Sequence, residues 1–274
     1  MIRRASQPVI CNRQTGQSGR LVMPTVALAA LLAIASMPSL AQWHGYPTPG
    51  IPRTADGRPD LTAPLPRTAE GVPDLSGIWL ANRALFDLRG LVKDGEDIPF
   101  QPWARELYNE RLANNQKEDP GARCLPTGLP VRATLATPMK FVQIPGLTLI
   151  LYETRTMFRQ IFTDGRPLPE VDWPSWQGYS IGHWDDDTFV IETMGTNGRA
   201  WLDQPGLPAT DALRMTERFT RTDFGHMHME FVIDDPKAYT RPWTIVSDFT
   251  LQADTELLEF ICEDNNIAAE HIIQ

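Results

Sequence analysis

Residues 141–152, Phe141-Val142-Gln143-Ile144-Pro145-Gly146-Leu147-Thr148-Leu149-Ile150-Leu151-Tyr152, decide the fold class. Two short apolar runs rich in strand-forming side chains flank a Pro-Gly break, the pattern of two strands and a turn. The pattern then repeats. Residues 157–162 stop at Thr163-Asp164-Gly165-Arg166, and 177–184 reach an Asp185-Asp186-Asp187 turn that leads into 188–193. Residues 213–221 and 226–233 flank Thr222-Asp223-Phe224-Gly225, and 243–251 and 257–262 flank a polar turn at 252–256. Turns this short demand antiparallel neighbours, because a parallel crossover needs a dozen or more residues. A long meander closes on itself or leaves exposed edges, so the expected fold is all-β: an antiparallel up-and-down barrel.

Alternation predicts what faces inward. Along 226–233, Met227, Met229, Phe231 and Ile233 share one face, and His226, His228, Glu230 and Val232 the other. Along 151–161, unbroken alternation would place Glu153, Arg155 and Arg159 on the face of Leu151, Met157 and Ile161. That predicts a partly polar interior; a register shifted by one residue would turn the same charges to solvent.

Upstream, residues 1–41 carry Arg3, Arg4, Arg13 and Arg20, no acid, and an apolar run ending in Pro38-Ser39-Leu40-Ala41. They read as a secretory signal cleaved near Ala41, giving a periplasmic or secreted protein with no membrane span once mature. Of 25 basic and 34 acidic residues, 21 and 34 would remain, a net charge of −13. Such a balance disfavours nucleic acid and anionic membranes as partners. Residues 42–73 are rich in Pro, Gly and Thr and contain a duplication: 52–61 recurs as 66–75 at a period of 14. They read as an extended arm on the barrel wall or a disordered tether. The barrel domain is expected over 74–266, with a tail at 267–274. Gly77-Ile78-Trp79 at its start resembles the first strand of lipocalin-like (calycin) barrels, where the Trp plugs one end. Trp103, Leu107, Tyr108 and Leu112 have helical spacing, which predicts one short amphipathic helix over 100–115. Two cysteines remain after the signal, Cys124 and Cys262; in an exported chain they predict one disulfide.

Several motifs together resemble a large family of exported, functionally unassigned proteins of soil and aquatic Gram-negative bacteria. They are Arg123-Cys124-Leu125-Pro126-Thr127-Gly128-Leu129-Pro130, Thr163-Asp164-Gly165-Arg166, Gly182-His183-Trp184-Asp185-Asp186-Asp187-Thr188, Glu217-Arg218, Asp235-Pro236 with Tyr239 and Pro242-Trp243, and Cys262 with Asn265-Asn266. The chain departs at Pro208-Ala209-Thr210, where relatives carry Pro-His-Ser, and at Glu263-Asp264-Asn265-Asn266, where they carry x-Glu-Gly-Asn. The resemblance implies export and supplies no activity.

The sequence holds no Gly-x-Ser-x-Gly, phosphate-loop, dinucleotide or haem-attachment motif, and no cofactor is expected. His226-x-His228-x-Glu230 has strand spacing for a metal, but an exposed polar face gives the same pattern, and no metal is assigned. The candidate catalytic residues are Glu153, His183, Glu192, Glu217 and His226. The candidate ligand-binding residues are Arg155, Arg159, Tyr179, Trp201 and Arg218. Inward acids and imidazoles acquire shifted pKa values and serve as proton carriers; a buried Arg–Glu network that only fixes the barrel is the plainer reading. Two functions follow. One is a periplasmic protein holding a small apolar or aromatic molecule inside the barrel, as eight Trp and eleven Phe suit. The other is a cofactor-independent isomerase, lyase or hydrolase acting on such a molecule. An interaction module carried by the Pro-rich arm comes third.

Overall fold

A computed structural model describes residues 46–83, 85–130, 137–170 and 172–262. The expected signal segment, the tail and residues 263–266 lie outside the described residues. Among the described residues, nine strands close into a barrel in chain order. They are β1 (Gly77–Ala81), β2 (Met139–Ile144), β3 (Leu147–Tyr152), β4 (Met157–Phe162), β5 (Tyr179–Asp185), β6 (Thr188–Met194), β7 (Arg214–Arg221), β8 (His226–Asp234) and β9 (Trp243–Leu251). Among the described residues one α-helix, α1 (Pro102–Ala113), carries Pro102 in its first turn, where the missing N–H is not needed.

Two expectations are corrected. Neighbouring strands are antiparallel except β4 and β5, which run parallel through Ile161 opposite Ser180 and Phe162 opposite Ile181. The long connection 163–178 permits this, because it returns the chain to the end where β4 began. Residues 257–262 form no strand. Instead β1 closes the barrel against β9, with Trp79 opposite Leu251 and Ala81 opposite Phe249. With that edge occupied, nothing remains for 257–262 to pair with, and the segment runs as a strap toward the opposite end of the barrel.

The lumen is filled by side chains. Phe141, Ile150, Ile161, Phe189, Phe219, Met229, Phe231, Ile245 and Phe249 are all buried. Gly182 faces inward because nothing larger fits: a Cβ there would stand 2.7 Å from Ile161 and 2.8 Å from Phe189. At one end the indole of Trp79 donates to the Leu75 carbonyl. The Arg221 guanidinium lies 4.9 Å over its ring and donates to the carbonyls of Asp74, Asp223 and Phe224. Burial among carbonyls brings Arg221 down to about 10, against the attraction of Asp74 and Asp223.

The arm closes this same end, and its duplication is structural. Each copy folds back on itself: Thr54 and Thr68 donate to the carbonyls of Arg58 and Val72, and Asp60 and Asp74 to those of Pro52 and Pro66. Each copy also presents an arginine to the barrel. Arg53 holds Asp254 just past β9, and Arg67 holds Asp187 in the β5–β6 turn. At the end of the first copy and just beyond it, Leu61 and Ala63 accept from Gly225 and Phe224 in the β7–β8 turn. Helix α1 and the β3–β4, β6–β7 and β8–β9 connections gather at the other end, which forms the mouth.

Candidate functional site

The mouth is built by loops, and its backbone is unusual. Between β3 and β4 the chain makes a 3-10 turn at Thr154–Thr156 in which Arg155 and Thr156 have φ of 60° and 51°. Across the mouth Cys124 ends the 3-10 turn Pro120–Arg123 at φ 56°. Non-glycine residues in this left-handed region cost on the order of 1 kcal/mol each. Local bonds hold them in place: Arg155 donates to the Gly121 carbonyl at 2.6 Å and to Cys262 Sγ at 3.4 Å. Cys124 and Cys262 form a disulfide with Cα atoms 5.6 Å apart.

These segments enclose a cavity of about 360 Å³. Phe86, Pro126, Trp201 and Phe260 supply its apolar surface, and Asp119, Arg155 and Asp203 its charge. Trp201 is held from behind by the Arg111 guanidinium, 4.3 Å from its ring centre. Asp203 braces the loop after β6, accepting from the amides of Leu88, Gly206 and Leu207. Burial raises its carboxyl to about 6 against the pull of those three bonds. Burial also raises Asp119, whose Oδ1 accepts from the Gly121 amide, and lowers Arg155 against the attraction of Asp119. Among the described residues no carboxylate comes within ion-pair distance of Arg155.

The residues singled out by sequence fall into four places. Arg155 and Trp201 line the mouth cavity. Glu153 lies at the rim and accepts from the Leu258 amide, tying down the strap. Arg159 and Glu217 meet in the lumen, both buried, with two bonds of 2.6 and 3.1 Å. Ser180 and Thr193 accept further bonds from Arg159. Burial alone would lower Arg159, but the Glu217 charge and then Tyr152 hold it above its usual value. The 3-10 turn resets the alternation between β3 and β4, so the face expected for Leu151, Glu153 and Arg155 is corrected.

The remaining five side chains lie on the outer wall rather than in the lumen. His183 is exposed and Glu192 half-buried, each outward by strand parity. Arg218 pairs with Asp185. Tyr179 stacks on Phe162 and meets Arg166. His226 bonds Asp223, while its neighbours on that face, His228 and Glu230, take Asp248 and Lys93 separately. Among the described residues no three metal-binding side chains converge.

Sequence reading passed over Asp203, Asp119, Phe86 and Phe260. Asp203 had one local signal: an Asp three residues before a Gly in a Pro-flanked loop is the pattern of a side chain that caps backbone amides. A second cleft, about 350 Å³, lies between the arm and β1 and includes Arg221; that guanidinium is engaged by three carbonyls, so it offers no free anchor. No family model, curated protein or solved structure matches this chain.

Proposed function

We propose that the protein is an exported binding protein for a small, largely apolar or aromatic molecule, held in the mouth cavity rather than the lumen. One observation carries this. The lumen is packed with side chains, while the mouth presents an aromatic pocket beside a half-buried arginine that forms no ion pair among the described residues. Cavities of roughly 300–1,000 Å³ lined by apolar groups with a few placed polar ones are the usual form of small-ligand sites. Export is supported by the disulfide, which persists in oxidising compartments, and by the sequence features of residues 1–41. No helix among the described residues is long and apolar enough to cross a membrane.

A second reading, a cofactor-independent isomerase, lyase or hydrolase, rests on Asp203. A carboxyl near pKa 6 on a cavity wall has the strength of a general acid or base. Three amides already occupy its oxygens, which favours the bracing role and keeps binding first.

Native mass spectrometry of protein purified from its own host, with displacement of an anilinonaphthalenesulfonate dye, tests the proposal. A retained organic molecule or saturable dye binding is expected in the wild type. It should be lost in Trp201→Ala and kept in Tyr179→Ala, which alters only the outer wall. Absence of both signals in the wild type, or equal loss in the two variants, would remove the mouth from consideration.

A further inference from the structure

The mouth cavity carries two opposite charges that do not meet each other. Arg155 spends Nη2 on the Gly121 carbonyl and Nε on Cys262 Sγ, and its Nη1 has no partner among the described residues. Asp119 spends Oδ1 on the Gly121 amide, and its Oδ2 likewise has none. Both groups are half-buried, yet they form no ion pair. Gly121 stands between them: a Cβ there would lie 3.0 and 3.2 Å from the Asp119 oxygens and 3.4 Å from Arg155 Nη2. The backbone keeps the two poles apart. Arg155 sits in a left-handed turn, and the segment carrying Asp119 runs directly into the disulfide at Cys124. Asp203, the other carboxylate on the wall, has both oxygens occupied by amides.

Resting on the mouth as the binding site, we infer that its ligand is an amphipathic zwitterion. It carries an ammonium and a carboxylate on neighbouring atoms and a large apolar body, the chemistry of an amino acid with an aromatic or long aliphatic side chain. The carboxylate takes the free Nη1 of Arg155 in a charge-assisted hydrogen bond. The ammonium donates to Asp119. The apolar body lies against Phe86, Trp201 and Phe260. A ligand with only one charge would leave the opposite pole desolvated and unpaired, and that penalty is what discriminates against it. Burial shifts both poles toward their neutral forms, so each gains from an opposite charge.

Three probes that share one aromatic body separate the possibilities on the full, oxidised protein: phenylalanine, 3-phenylpropionate with only the carboxylate, and 2-phenylethylamine with only the ammonium. Calorimetric titration should show phenylalanine binding about tenfold or more tightly than either. Asp119→Asn should bring phenylalanine down to the level of 3-phenylpropionate, and Arg155→Met to the level of 2-phenylethylamine. Gly121→Ala intrudes between the poles. It should weaken phenylalanine more than the uncharged 2-phenylethanol, and it keeps the test open if either charge variant fails to fold. Binding of 3-phenylpropionate or 2-phenylethanol at least as tight as phenylalanine overturns the zwitterion and leaves the cavity as an apolar site. Failure of every probe, with no dye binding, overturns the cavity reading itself.

Discussion

Glu217→Gln would leave the Arg159 guanidinium buried in the lumen without a counter-charge. Breaking one side of a buried pair costs about 3–5 kcal/mol, far more than the pair contributes over an apolar replacement. Urea unfolding should therefore show a large loss for Glu217→Gln, with much of it recovered in the double variant Arg159→Met/Glu217→Leu. Equal losses in the two would mean that Ser180 and Thr193, not the charge, set the cost. Asp203 makes a prediction in pH. The folded protein holds its proton to about pH 6, against 3.8 for the ordinary carboxyl. Folding therefore takes up a proton between those values. The stability this contributes is complete below pH 3.8 and is lost as pH rises through 6, at most about 1.4 kcal/mol per pH unit. The melting temperature should be higher at pH 5 than at 7.5. Asp203→Asn should flatten that difference; an unchanged pH profile would show that Asp203 is not the titrating group. At this scale Arg159 was legible because strand parity holds from β4 onward. Arg155 was not placed correctly, because a left-handed residue inside a turn leaves no mark on an alternation pattern.

The elements read well wherever a strand ends at Gly, Pro or Asp and resumes at once. The strands from β2 to β9 and helix α1 follow their sequence signals to within a few residues. Two features did not, and both concern pairing rather than propensity. The β4–β5 seam has only two matched pairs and is parallel; nothing in either strand states which neighbour it takes. Residues 257–262 look like a strand but find the β9 edge already taken by β1. The arm was recognisable as a duplication, while its mode of attachment depends on Asp187 and Asp254, far away in sequence. Because Arg53–Asp254 and Arg67–Asp187 are solvent-exposed pairs, each Arg→Ala change should leave stability nearly unchanged. Deletion of residues up to 73 should cost more, about 2 kcal/mol, from the apolar contact of Leu61 and Ala63 with the β7–β8 turn. Thermal unfolding should stay cooperative and shift down by about 5 °C. Loss of the cooperative transition would show that the arm belongs to the core.

For the whole molecule, the disulfide has two separable effects. It closes a sequence separation of 138 that contains β2 through β9, so it constrains nearly the whole unfolded barrel. On chain entropy a loop of that length contributes roughly 4–5 kcal/mol. It also fixes the strap, which enters no sheet. Otherwise the strap is held by the Leu258–Glu153 bond, the Thr156–Phe260 bond and a loose Lys140–Glu256 pair. Phe260 and Cys262 of that strap line the mouth, and Cys262 accepts from Arg155. Stability and binding should therefore fall together in Cys124→Ser/Cys262→Ser, but for different reasons. The urea midpoint should drop with the lost constraint on the unfolded chain. Dye affinity, measured well below that midpoint, should drop because the strap no longer holds one wall of the cavity. Phe260→Ala in the oxidised protein separates the two effects: binding should weaken with little change in stability, since the Phe260 side chain is largely exposed. If the serine pair lowers the midpoint yet binds as the wild type does, the hydrogen bonds alone position the strap, and the disulfide serves only to restrict the unfolded chain.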